Sequence, residues 1–254
     1  CGKLVREASI DLKENDVMVF VSDGALYASA GQSLNLNWKW EDIAKHLKIN
    51  VRDSMSALDI KNNLLGVCDQ MYLFEPGDDT TVCVLKAVKP KKVKLFTGPP
   101  SHKEDDAKVV HELMNNADIR IVSGGTTSQI VARELGVEVK SSTEIYDKEV
   151  PPIAYIQGVD LVTEGVLTLS KTIDRLKSLS KSLDSDIFKA KDGASQMAKL
   201  LYSASHIKLL VGRSLNIANA ESSFQRDLEL RLHVVGELEK ILVKLGKIVT
   251  VEYY

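Results

Sequence analysis

The chain has 254 residues, 44% hydrophobic and 27% charged, with Lys+Arg 33 against Asp+Glu 35 for a net charge of −2. That length allows one large domain or two ordinary ones, and the charge balance excludes broad electrostatic binding to nucleic acid or to an anionic membrane surface. The absence of a run of about twenty apolar residues and of a signal-peptide pattern predicts a cytoplasmic protein. Cys1, Cys68 and Cys83, odd in number and widely spaced, read as reduced core residues.

Residues 3–12 alternate weakly, as a half-exposed strand does. After the turn at Glu14-Asn15-Asp16, residues 17–22 form a strand of nearly continuous apolar character that ends in Ser22-Asp23-Gly24. Residues 25–40 read as a loop whose Trp38 and Trp40 pin it to the sheet. Two helices are predicted over 41–47 and 54–68, from Ile43 with Leu47 and from Met55, Leu58, Leu65 and Cys68 at helical spacing. Residues 71–74 are expected to return to strand, Pro76-Gly77-Asp78-Asp79 to turn, and residues 80–88 to form a strong strand.

Lys89-Pro90-Lys91-Lys92 is the predicted boundary between a domain over 1–90 and a second over 91–254. Beyond it the pattern changes to strand–helix alternation. Strands are predicted over 93–96, 119–122, 137–139, 153–156, 159–162, 207–211 and 248–253. Helices are predicted from a capping box at Ser101–Glu104 to 114, from Gly124-Gly125 to 135, and over 166–179, 193–204 and 227–245. Residues 181–191 are polar and read as loop. Such alternation predicts a mostly parallel sheet with helices on its faces.

Two acidic turns carry the first chemical signal. Asp23 and Asp78 each lie at one end of a strong strand, and if those strands are neighbours the carboxylates converge. Mg²⁺ and Mn²⁺ take carboxylate oxygens supplied from different loops in this way. Either turn alone is also ordinary: Asp-Gly is a common hairpin turn, and Asp-Asp before Thr caps one.

Together, Val-Phe-Val-Ser-Asp-Gly and, about fifty residues on, Asp-Asp-Thr-Thr-Val-Cys-Val-Leu resemble the C-terminal half of a metal-dependent type 2C protein serine/threonine phosphatase, in its stage II sporulation protein E-like branch. The resemblance covers residues 3–88. It implies a partial phosphatase β-sandwich with helices and a metal site at Asp23 with Gly24 and at Asp78, supported by Asp79. It also implies two Mn²⁺ or Mg²⁺ ions in the complete site and a phosphoprotein substrate attacked by a metal-activated water. The family's early Asp-Gly metal motif has no counterpart before Asp23, and the chain starts at Cys1 without an initiator Met. Both lead to the expectation of a fragment that is inactive alone. Residues 91–254 resemble the extension that some of these phosphatases carry.

The second signal is Ile-Val-Ser-Gly-Gly-Thr-Thr-Ser. Strand into Gly124-Gly125 into helix aims backbone N–H groups and the hydroxyls of Thr126 and Thr127 at an anion. The alternative is a tight turn with Thr126 or Thr127 as N-cap. Gly98, Glu164 and Arg213 fall at other predicted strand ends. On a shared edge, Arg213 pairs with a phosphate and Glu164 with a hydroxyl or cation. The second functional reading is therefore a non-catalytic regulatory module that senses a phosphoanion or nucleotide. A third is an enzyme acting on a phosphorylated small molecule at Gly124-Gly125. His46, His102, His111, His206 and His233 form no ligand pair at i, i+2 or i, i+4. The sequence leaves a homo-oligomer open.

Overall fold

The structure, a computed structural model, describes residues 7–29, 38–75, 77–181, 187, 189–214 and 221–254; the side chains of residues 180, 181 and 221–226 are outside the description. The chain divides into two compact units, Cys1–Lys89 and Pro90–Tyr254.

In the first unit, β1 (Val17–Val21) pairs antiparallel with β2 (Val82–Lys86), Val21 opposite Val82. Between them lie a single helical turn, α1 (Asp23–Leu26), and two helices, α2 (Trp40–Asn50) and α3 (Ala57–Met71). Ser56 caps α3 reciprocally: its Oγ accepts from Asp59 N–H, while the Asp59 carboxylate accepts from Ser56 N–H. The Ser56 hydroxyl, donating to Asp59 Oδ2 at 2.7 Å, and then the Ser56 N–H hold the Asp59 carboxyl below its ordinary range. Ala25, Ala28, Cys68 and Tyr72 form one core cluster, with Trp38 packed against it and its Nε1 donating to the Ala25 carbonyl, and α2 and α3 also bury Ile43, Ile60 and Leu64.

Two sequence expectations fail in this unit, and a third, the loop over 25–40, holds at residues 27–29, 38 and 39. Residues 7–13 are irregular, with Ile10 and Leu12 exposed, and the rest of the expected first strand lies outside the described residues. The expected loop over 25–40 begins inside α1, and its centre, 30–37, also lies outside them. The expected strand at 71–74 is the end of α3 and a turn in which Leu73 and Phe74 take φ 54 and 63. Its apolar residues were misleading, because Tyr72 is drawn inward by a buried hydrogen bond while Leu73 and Phe74 turn out to solvent.

The second unit is a doubly wound α/β sheet. Its strands are β3 (Lys92–Thr97), β4 (Ile119–Ser123), β5 (Lys140–Ser141), β6 (Ala154–Tyr155), β7 (Leu161–Thr163), β8 (His206–Val211) and β9 (Ile248–Tyr253), in the order β5-β6-β7-β4-β3-β8-β9. Strands β7, β4, β3, β8 and β9 are parallel, and β5 and β6 add an antiparallel edge. The chain starts in the middle at β3, builds outward through β4 and β7, then returns to the other side of β3 with β8 and β9.

Helices α4 (Asp106–Met114) and α5 (Gly125–Leu135) bury Val109, Leu113, Ile130 and Val131 against Phe96, Val122 and Leu210 on one face. Helices α6 (Val166–Lys181), α7 (Gly193–Ser203) and α8 (Glu221–Lys244) bury Leu169, Leu176, Met197, Leu201, Leu238 and Leu242 against Val93, Leu95, Ile121 and Leu209 on the other. Near-continuous apolar strands are what a sheet covered on both faces requires.

The expected capping box at Ser101 is not formed. Ser101 instead donates to the Tyr254 carbonyl, and a 3₁₀ turn at Lys103–Asp105 precedes α4. The strand expected at 137–139 is displaced to Lys140–Ser141. Part of the polar stretch 181–191 lies outside the described residues.

One charged chain ties α4 to the sheet. Glu112 accepts from Lys94 at 2.7 Å and from Lys208 at 2.8 Å; Lys208 also reaches Glu252 at 2.6 Å, which accepts from the Tyr254 hydroxyl at 2.9 Å. Lys94 is buried in β3, so Glu112 compensates a charge that would otherwise be costly there. Hydrogen bonds from Lys208 and Lys94 hold the Glu112 carboxyl below its ordinary range. Among the described residues, no helix is long and apolar enough to cross a membrane.

Candidate functional site

In the first unit the pairing of β1 with β2 brings the two acidic turns to one end of the sheet. Ser22 joins them. Its N–H donates to the Thr81 carbonyl at 3.0 Å, its Oγ donates to the Asp79 carbonyl at 3.1 Å, and the same Oγ accepts from Thr81 N–H at 2.9 Å. Gly24 is pressed against the second turn: a Cβ there would lie 2.4 Å from the Asp79 carbonyl oxygen. No other residue lets the turns approach this closely.

Beneath them, the Tyr72 hydroxyl donates to the Gly24 carbonyl at 2.8 Å. Burial pushes the Tyr72 phenol up, and the negative charges of Asp78 and Asp23 push it further, so both carboxylates lie within electrostatic reach of one hydroxyl. Asp23, Asp78 and Asp79 are exposed at the rim. Asp23 Oδ1 accepts from Gly24 N–H at 3.1 Å, and Asp78 Oδ1 from Asp79 N–H at 2.8 Å, which leaves further oxygen lone pairs on each.

These donors are of the type that a hard divalent ion takes, and they come from two loops. They do not make a complete cage. Among the described residues no three His, Cys, Asp or Glu side chains gather as ligands for one ion. The sequence pointed to the two aspartates and to Gly24; Ser22 was visible only as part of the first turn. Tyr72 was missed, because nothing in the pattern around it distinguishes an anchoring phenol from a strand residue.

In the second unit the strand order puts the remaining candidates along the carboxyl edge of the parallel strands. Glu164 follows β7, Gly124 and Gly125 follow β4, Gly98 follows β3, and Gly212-Arg213 follow β8. The order reverses between β3 and β8, the place where open α/β sheets bind ligands.

Gly124, at φ 119, is the N-cap of α5, so neither Thr126 nor Thr127 caps the helix. Thr126 is exposed. Thr127 is buried, and its Oγ accepts from Gly98 N–H at 3.0 Å, joining the ends of β3 and β4. Glu164 is exposed at the mouth of α5, with Oε2 3.9 Å from where a Gly125 Cβ would be, and it borders a cavity of about 170 Å³ together with Gly125, Ser128 and Thr163.

The Arg213 guanidinium stacks on the Tyr253 ring at 4.2 Å. Arg213 and Glu164 are not a contact pair, since β4 and β3 stand between their strands. A second arginine, which the sequence did not single out, completes the edge. Arg231, from α8, donates from Nη1 to the Gly212 carbonyl at 3.1 Å and lies across Gly98, whose φ is 80. Its place on a helix far from the glycine loops hid it.

Compared with protein-family models, with curated proteins and with solved structures, the chain matches none.

Proposed function

We propose that residues 7–89 are part of a metal-dependent protein serine/threonine phosphatase of type 2C, and that Asp23 and Asp78, with Gly24 and Asp79 beside them, form part of its divalent-metal site. The observation that carries this reading is the hydrogen-bonded junction of the two acidic turns, Ser22 to Asp79 and Thr81, above the Tyr72–Gly24 anchor. Mn²⁺ or Mg²⁺ is the ion that such oxygen donors suit, and when bound it supplies a water acidic enough to attack phosphorus. The chain's own contribution is positional. Ser22 and Gly24 fix the separation of the turns, and Tyr72 supports the Gly24 carbonyl from below.

The open face of the small sheet supports the same reading. Met18, Phe20, Cys83 and Leu85 share one face of β1–β2, with Phe20 50% and Leu85 52% exposed. An apolar face on a two-stranded sheet lacks the burial that independent stability requires. In the proposed phosphatase, the rest of the β-sandwich covers it and supplies the missing metal ligands, and the substrate is a phosphoserine or phosphothreonine protein. The test is Mn²⁺ titration of a polypeptide that includes the whole phosphatase domain. Asp23→Asn with Asp78→Asn abolishes Mn²⁺ binding and phosphatase activity if the reading is right, and leaves both unchanged if the turns are only turns. Robust Mn²⁺-dependent phosphomonoesterase activity from the 254 residues alone would contradict the incompleteness of the site.

One observation favours a second reading for the other unit. The reversal of strand order puts Gly124–Thr127, Glu164 and Arg213 on a single edge, which suits a module that senses a phosphoanion or nucleotide.

A further inference from the structure

Arg231 is the group at this edge that its surroundings explain least. The guanidinium is half-buried at the junction of β3 and β8, held there by close packing of backbone. A Cβ on Gly212 would lie 2.1 Å from the Pro99 carbonyl oxygen, and one on Gly98 would lie 2.5 Å from Arg231 Nη1 and 2.9 Å from its Cδ. Gly212 N–H donates to the Thr97 carbonyl and Ser214 N–H to the Pro99 carbonyl, so the two loops form a fixed floor under the arginine.

Among the described residues, one of the five N–H donors on the side chain is used, by the Gly212 carbonyl. No carboxylate among the described residues forms an ion pair with it; Asp227 acts on it through space alone, and burial pulls its pKa down. A half-buried guanidinium with one hydrogen-bond partner and no paired carboxylate among the described residues is electrostatically incomplete, and its planar fork suits a phosphate. Gly98 places it next to α5, because Thr127 Oγ accepts from the N–H of the same glycine. Arg213 adds a second cation, fixed by Tyr253.

The other end of the edge has the opposite chemistry. Glu164 is exposed and forms no salt bridge among the described residues, and Gly124, Gly125 and Gly165 leave the surface beside it without side chains. From the β3–β8 junction to β7 is about two and a half strand spacings, roughly 12 Å. That is the length of a small phosphorylated molecule.

We propose that the carboxyl edge of this sheet binds a phosphomonoester carried on a hydroxyl-rich, ribose-like group, with the phosphate on Arg231 beside Gly98 and the hydroxyls on Glu164. This rests on the phosphoanion reading of the second unit and adds to it the anchoring residue and the class of ligand. A free sugar phosphate and a nucleotide share this chemistry.

The test is calorimetric titration of the full chain with inorganic phosphate, ribose 5-phosphate and AMP. The two ribose phosphates are expected to bind at least about tenfold more tightly than inorganic phosphate. Arg231→Gln weakens all three by at least about tenfold, whereas Glu164→Gln weakens the ribose phosphates and leaves inorganic phosphate unchanged. AMP binding more tightly than ribose 5-phosphate identifies a nucleotide, and equal affinity a sugar phosphate. Because the Arg231 stem packs on Gly98, Arg231→Lys is the companion variant: it keeps stem and charge, loses the fork, and binds between wild type and Arg231→Gln. Failure of all three ligands to bind overturns the proposal, as does affinity indifferent to both Arg231 variants. Inorganic phosphate that binds but ignores both Arg231 variants overturns the assignment to this arginine and leaves the phosphoanion reading standing, whereas no binding by any of the three ligands removes both.

Discussion

The two units of this chain solve the burial problem to very different degrees. Residues 90–254 wrap helices over both faces of a sheet, and Phe96, Leu95, Ile121 and Leu209 are fully buried. Among its described residues the first unit has a two-stranded sheet with one helical face and one open face, and a smaller core of Ala25, Ala28, Ile43, Ile60, Leu64, Cys68 and Tyr72. The first unit nevertheless carries the more legible chemistry. A candidate site read from local sequence can sit on a sparsely packed scaffold, whereas one assembled from strand ends needs the whole sheet before it exists.

The largest effect that tests this contrast is truncation. Residues 90–254 alone are expected to melt cooperatively, and residues 1–89 alone to lack a cooperative transition, as followed by circular dichroism and calorimetry. A sharp melt from the first piece would show that its small core suffices.

The next effect lies inside the second unit. Glu112→Ala strands Lys94 in β3 and is expected to cost about 3 kcal/mol in denaturant unfolding, because removing one partner leaves a buried charge uncompensated. The same group gives a pH dependence. Its folded pKa is depressed by Lys208 and Lys94, so its stabilisation is fully present above the ordinary value of 4.5 and is lost as pH falls through the lowered one. Wild type should lose stability below that value, and Glu112→Gln should lose less over the same interval.

The smallest effect belongs to the first unit. Tyr72→Phe removes the donor to the Gly24 carbonyl and is expected to cost about 1–2 kcal/mol, since the acceptor is left unpaired in the core. If the proposed phosphatase reading holds, then in a polypeptide with that whole domain it should weaken Mn²⁺ binding less than Asp23→Asn does. Equal losses would make Tyr72 part of the metal site, not its support.

How much of this was legible in the sequence follows from the range of the interactions. The parallel-sheet elements were readable because fully buried strands are continuous apolar runs and their helices keep a helical stripe, as with Ile207, Leu209 and Val211 against Leu238 and Leu242. The strand expected at 71–74 failed because Tyr72 is committed to a partner 48 residues away, which local alternation does not encode. Asp23 and Asp78 could be paired in advance because each ends a strong strand. Arg231 could not, because its place depends on how α8 returns over β8 to reach Gly98.

The open face of β1–β2 also carries its own reporter. Cys83 is exposed there beside Phe20, whereas Cys68 is buried and burial pushes its thiol up. A maleimide pulse resolved peptide by peptide would therefore label Cys83 and spare Cys68, and the Cys83 rate would measure how fast that face uncovers in any assembly that closes over it.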